Sequence, residues 1–164
     1  MIRDARAADF PAIAALNAHS VQFLSPMSEA RLAQLHAWAA YHRVAEAGGE
    51  VAAFLIAFRD GVRYDSPNYR WFSERYASFV YIDRVVVAAA HRRQALGAAL
   101  YRDVFAFARA QRAATLTCEF TVDPPNEASR RFHAKFGFRE VGMHSYQGKR
   151  VSIQATPAAS FVES

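Results

Sequence analysis

The stretch Val85-Val86-Val87-Ala88-Ala89-Ala90-His91-Arg92-Arg93-Gln94-Ala95-Leu96-Gly97-Ala98-Ala99-Leu100 is the most informative in the chain. Three valines close an extended run that begins at Phe79, and β-branched and aromatic residues of this kind form strands. Beyond the turn, Leu96, Leu100, Val104 and Phe107 recur at spacings of four, four and three, which makes one apolar stripe of a helix. Arg102, Arg109 and Arg112 fall on its other side. A strand therefore runs into a basic turn and then into a helix whose start is built of small residues. The first amides of a helix lack internal partners and sit at the positive end of its dipole. Small side chains let a phosphate approach that backbone, and Arg92 and Arg93 add charge. An ordinary strand-to-helix turn with two solvated arginines fits the same letters. The glycines match neither a Walker A loop nor a dinucleotide fingerprint.

Working outward, Thr115 to Phe120 reads as the next strand, broken by Pro124-Pro125. Asn126 to Phe136 reads as a helix closed by Gly137 as a left-handed cap. Phe138 to Ser145 and Arg150 to Ala155 form a strand pair around Gly148. Toward the N-terminus, Tyr41 to Glu46 and Val51 to Phe58 are strands joined at Gly48-Gly49, a hairpin signal. Ile2 to Ala5 is a short strand, Asp9 caps a helix to about His19 with Pro11 in its first turn, and Ser28 opens another to Trp38. Residues 59 to 77 read as a long irregular connection. The order β-α-α-β-β-β-α-β-α-β-β favours a mixed sheet covered by helices.

Composition narrows the function. The 164 residues fit one domain over 1–156, with 157–164 as a tail. Alanine supplies 34 positions, so bulky core formers are placed economically. Of 20 cations 18 are arginine, a good fork for phosphate oxygens, against 15 carboxylates. The arginines are scattered, and no run suggests a nucleic-acid arm. One cysteine, Cys118, excludes an internal disulfide and a cysteine-based metal cluster; its alternation with Leu116 and Phe120 makes it a core residue. The apolar run Val51 to Phe58 is too short for a membrane span, and the N-terminus has no signal-peptide core. A soluble cytoplasmic protein with no membrane partner is expected.

A second motif lies at Asn126-Glu127-Ala128-Ser129-Arg130-Arg131-Phe132-His133-Ala134-Lys135-Phe136-Gly137-Phe138. Asn126, Ser129 and His133 share one helix face, with Ala128, Phe132 and Phe136 on a neighbouring, core-like face. Together the two motifs resemble the GNAT N-acetyltransferase superfamily. Arg92, Ala95 and Gly97 occupy the marked positions of its pyrophosphate-binding turn, and Asn126 through Phe138 resembles its C-terminal signature. The departures are Ala95, where the family usually has Gly, and His133, where it commonly has a tyrosine acid. At a helix start φ is negative, so alanine is expected to be tolerated at 95.

The resemblance implies an α/β fold: a mostly antiparallel sheet of about seven strands with a splayed parallel pair, flanked by about four helices. It implies acetyl-CoA as co-substrate, an amine acceptor, no metal and no covalent enzyme intermediate, and it is compatible with a homodimer or with acyl-CoA binding without turnover. Val85, Val86 and Val87 would pair the pantetheine, and Arg92, Arg93, Gln94, Ala95, Leu96, Gly97 and Ala98 would hold the pyrophosphate. Asn126, Ser129 and Phe132 would line the arm, with His133 as an acid near the sulfur at a pKa near neutrality. Asp83, which alternates with Tyr81 and Val85, and Glu119 on the neighbouring strand are candidate bases; each is also readable as one half of an arginine pair. The aromatics and arginines of 59 to 77, Tyr69 and Arg70 among them, either form the acceptor site or pack against the sheet or a second subunit.

Overall fold

In the computed structural model, residues 1–20 and 24–160 are described, and the side chains of Arg93 and Tyr146 lie outside the described set. The elements run β1 (Ile2–Asp4), α1 (Phe10–Ala18), α2 (Glu29–Trp38), β2 (Tyr41–Ala47), β3 (Glu50–Arg59), α3 (Pro67–Ser73), β4 (Phe79–Val87), α4 (Leu96–Ala110), β5 (Thr115–Asp123), α5 (Glu127–Lys135), β6 (Arg139–Tyr146) and β7 (Lys149–Pro157). Among the described residues there are thus seven strands and five α-helices. The strands are ordered β1-β2-β3-β4-β5-β7-β6 in one sheet. β4 and β5 are parallel, through Phe79↔Thr115, Val80↔Leu116 and Tyr81↔Thr117. The β1–β2, β2–β3, β5–β7 and β6–β7 pairs are antiparallel.

The chain divides into two compact units, interleaved in sequence: residues 1–58 with 82–106, and residues 59–81 with 107–164. In the first unit Ile13, Leu32, Leu35, Val44, Phe54, Leu100 and Phe105 are buried. Ser28 caps α2 by accepting from the Arg31 N–H. Gly48 and Gly49, at φ 61° and 79°, make the tight turn between β2 and β3 that the hairpin signal predicted. The buried stripe of α4 runs through Leu100, Tyr101, Val104, Phe105 and Ala108, a face slightly rotated from the predicted one; Leu96 and Phe107 are only half-buried.

The second unit corrects two readings. The stretch 59 to 77 contains α3, begun by Ser66, whose hydroxyl accepts from the Tyr69 N–H, with Pro67 in the first helical turn. Tyr64, Tyr69 and Phe72 are buried, so they are core and not an acceptor cage. Tyr69 donates to the Arg59 carbonyl at 2.7 Å and accepts from the Val62 N–H at 3.3 Å. The predicted tail is also packed in part. Ala158 is buried, its N–H bonds the Ala114 carbonyl at 3.0 Å, and Ala158–Ser160 form a 3-10 turn.

α3 is seated on β6 by a close approach that only glycine permits. A bulge skips Val141 and sets Gly142 opposite Ile153. A Cβ at Gly142 would lie 2.5 Å from Cζ2 of Trp71, and the Arg75 guanidinium lies over that indole at 4.0 Å. Asn68 of α3 also bonds His144 of β6. Gly142→Ala is therefore expected to destabilise by about 1–3 kcal/mol through overpacking. That lowers Tm by roughly 2–4 °C per kcal/mol in a chain of this size. A thermal melt followed by tryptophan fluorescence checks it; an unchanged Tm would show that the indole gives way without cost.

Candidate functional site

The phosphate-facing candidates lie in the first unit. Val86 is buried while Val85 and Val87 are half-buried, and the Ala88 N–H anchors the strand end to the Ala52 carbonyl at 2.7 Å. Residues Ala89–Gln94 form a 3-10 turn, in which the His91 N–H bonds the Ala88 carbonyl at 2.9 Å. Ala95 then sits at φ 55°, ψ 31°, a left-handed conformation. The expectation of negative φ at this residue is thus wrong. The helix begins one residue later, and Ala95 is the hinge between a 3-10 turn and α4, its carbonyl taking the Ala99 N–H at 3.1 Å. An alanine there carries strain of roughly 1–2 kcal/mol that a glycine avoids. The amides of Leu96, Gly97 and Ala98 are the first-turn donors, Arg92 and Gln94 are exposed, and the Arg93 side chain lies outside the described residues.

Asp83, also in this unit, is held in a buried ion pair. Its Oδ2 receives Nε–H of Arg84 at 2.6 Å, and Arg84 also donates to Asn17 Oδ1 at 3.0 Å and to the Ser25 carbonyl at 3.2 Å. Of its two readings from the sequence, the geometry matches the arginine pair.

The second unit holds Glu119, Asn126, Ser129, Phe132 and His133. Glu119 is half-buried on β5, and the Tyr81 hydroxyl donates to both carboxylate oxygens, at 2.8 and 2.7 Å. Asn126 caps α5 by accepting from the Ser129 N–H at 3.2 Å. An open recess beside that cap is lined by Phe120, Thr121, Pro125, Asn126 and Arg130.

His133 departs from its expected state. It is 5% exposed, against Phe120, Phe132 and Phe138 at ring distances of 5.4, 5.5 and 5.4 Å. Burial pushes its pKa down to about 4, with the Ser129 carbonyl opposing the shift. Nδ1 lies 2.7 Å from that carbonyl, which can only accept, so Nδ1 carries the proton of the neutral ring and Nε2 is bare. A ring in this state has no proton to give at neutral pH. The helix face is corrected with it: Ser129, Phe132, His133 and Phe136 are half-buried or buried, while Ala128 is exposed.

His42 in the first unit is in the same state. Burial first, and the neighbouring His36 second, push it down to about 4; Nδ1 of each histidine lies 2.7 Å from the other's. Both folded values lie below the 6.5 of an unfolded histidine, so the unfolded chain binds more protons between pH 6.5 and about 4. Their contribution is complete above pH 6.5 and is lost as pH falls through that window, at up to about 3 kcal/mol apiece. Tm is expected to start falling near pH 6.5, above the carboxylate range. A Tm that stays flat from pH 7.5 to 5 would rule this out.

Among the described residues, no group of three or more His, Cys, Asp or Glu side chains could hold a metal, and no helix is long and apolar enough to cross a membrane. In comparison with known families, residues 2–138 match the acetyltransferase (GNAT) family. No curated protein sequence matches. Ard1 from Thermoplasma volcanium superposes with a TM-score of 0.78 at 19% identity, over 96% of either chain. The ribosomal-protein-S18-alanine N-acetyltransferase from Escherichia coli gives 0.72 at 19% identity, over 96% of this chain and 93% of that one. The protein yncA from Salmonella typhimurium, solved with its cofactor acetyl-CoA, gives 0.73 at 19% identity, over 100% of this chain and 96% of that one. At these identities the likeness is one of fold.

Proposed function

From the premise that this chain belongs to the acetyltransferase (GNAT) family, we propose that it moves an acetyl group from acetyl-CoA to a primary amine of a small molecule or peptide, by direct attack on the thioester. The observation that carries this reading is the junction at Ala95. Its left-handed turn ends the 3-10 segment and starts α4 on Leu96, Gly97 and Ala98. First-turn amides beside the small residues Gly97 and Ala98 suit a pyrophosphate.

In this reading those amides, with Arg92, Arg93 and Gln94, take the pyrophosphate of acetyl-CoA, and the backbone of Val85 to Val87 pairs the pantetheine amides. In the second unit Asn126, Ser129 and Phe132 serve the pantetheine arm. The amine must lose a proton as it forms its bond to the acetyl carbon, and Glu119 is the base that takes it. Asp83, tied to buried Arg84, is not assigned that task. The C–S bond then breaks, and the CoA thiolate takes a proton from water, which recovers it from the proton Glu119 took from the amine; Nε2 of His133 carries none to give.

A thiol-release assay with acetyl-CoA over amino acids, polyamines, aminoglycosides and peptides tests the proposal. Turnover on one class supports it and names the acceptor. Tight acetyl-CoA binding with no CoA release on any amine would instead make the chain an acyl-CoA-binding domain without turnover. No binding at all would overturn both readings.

A further inference from the structure

We propose that Tyr81 is the positioning residue for Glu119, fixing the carboxylate for proton abstraction; this rests on the reading of Glu119 as the base. Tyr81 is fully buried at the end of the parallel ladder, where it pairs with Thr117. Glu119 follows Thr117 by two residues and so shares its face of β5. That geometry delivers the phenol to the carboxylate, and the one hydroxyl proton is shared between Oε1 and Oε2 at 2.8 and 2.7 Å.

The ring itself cannot swing. Tyr69, Phe72 and Tyr64 surround it at 5.6, 5.7 and 6.5 Å between ring centroids. Tyr69 is in turn anchored by its hydroxyl to the Arg59 carbonyl. The aromatic cluster of 59 to 81 thereby gains a role beyond filling space: it is the mount on which the donor to Glu119 is held. A donor aimed at both oxygens favours the charged form of a carboxylate, and it restricts the rotation of a long side chain.

Other ionisable groups lie on the neighbouring elements of the unit. Cys118 precedes Glu119 on β5 but is fully buried, its thiol pushed well up by burial and then by the Glu119 charge. β7 presents Ile153 opposite Glu119, with Val151 and Ala155 on the same face. β6 contributes His144, which bonds Asn68 and whose pKa is lowered by burial and then by Arg75. From the 59 to 81 segment, Tyr64 and Tyr69 pack on Tyr81.

Tyr81→Phe keeps the ring and removes the hydroxyl. It is expected to raise the acid limb of the kcat/KM profile by about half a pH unit to one unit and to lower plateau kcat by roughly 3- to 30-fold, with acetyl-CoA affinity unchanged. Replacing Tyr81 with 3,5-difluorotyrosine keeps the fold and strengthens the donor, and should move the limb the other way. An unmoved limb in both proteins would overturn the positioning role. If Tyr81→Phe fails to fold, the fluorinated protein alone decides. Glu119→Gln separates the two failures: full activity there removes the base and the positioning role together, whereas lost activity with an unmoved limb at Tyr81 removes the positioning role alone.

Discussion

Glu119→Gln is expected to lower kcat/KM for the amine by about 100- to 10,000-fold, the usual contribution of one general base. The substitution is close to isosteric, and the amide oxygen can still accept from the Tyr81 hydroxyl, which now reaches both carboxylate oxygens within 2.8 Å. Packing should therefore survive, and acetyl-CoA affinity should stay within about twofold, because the lost interaction belongs to the transition state. The acid limb of the pH profile, set by protonation of the base, should disappear. Asp83 supplies the contrast: Asp83→Asn strands the buried Arg84 guanidinium, so its loss of activity should track loss of folded protein. Steady-state kinetics on the two variants, with circular dichroism beside them, decide the matter. Wild-type kcat/KM in Glu119→Gln would place proton removal at another group or at water.

The elements legible in the sequence were those with a strong local cause. β4 was bounded at Phe79 and Val87 as read, because a β-branched and aromatic run ends there in alanines. The hairpin turns at Gly48-Gly49 and Gln147-Gly148 adopt positive φ as their residues demand. α3 is hard to read from the sequence because it spans only seven residues, too few for an apolar stripe to repeat; Ser66-Pro67 is the signal that marks its start. The α5 face was misassigned by treating His133 as polar, whereas a neutral imidazole among three phenylalanine rings packs as an aromatic. The Asp83–Arg84 pair joins strand neighbours whose side chains start on opposite faces, so only the long reach of arginine makes it. Tyr81 as the partner of Glu119 needs the ladder register Tyr81↔Thr117, which no local pattern contains. Ala95 is the same kind of miss: a left-handed residue there is required by the 3-10 turn before it, and the letters alone did not reveal that turn.

Gly97→Glu separates ligand binding from folding by driving them in opposite directions. Gly97 lies in the first turn of α4, half-buried behind the left-handed Ala95. For the helix the change is favourable: glycine costs roughly 1 kcal/mol in helix propensity, and a carboxylate near a helix N-terminus gains about 0.3–1 kcal/mol from the dipole. For a bound pyrophosphate the same carboxylate is a like charge at close range. Coulomb repulsion at about 4 Å is worth about 1 kcal/mol in water and about 4 kcal/mol in the partly dry surroundings of a protein surface. Acetyl-CoA affinity is therefore expected to fall by about 10-fold or more while Tm holds or rises. Gly97→Gln, equal in size and uncharged, should lose much less, and the gap between the two variants should narrow as salt is added. Calorimetric titration of both variants against wild type measures the effect. Equal affinity in Gly97→Glu and wild type would mean that the phosphates of acetyl-CoA do not approach the start of α4.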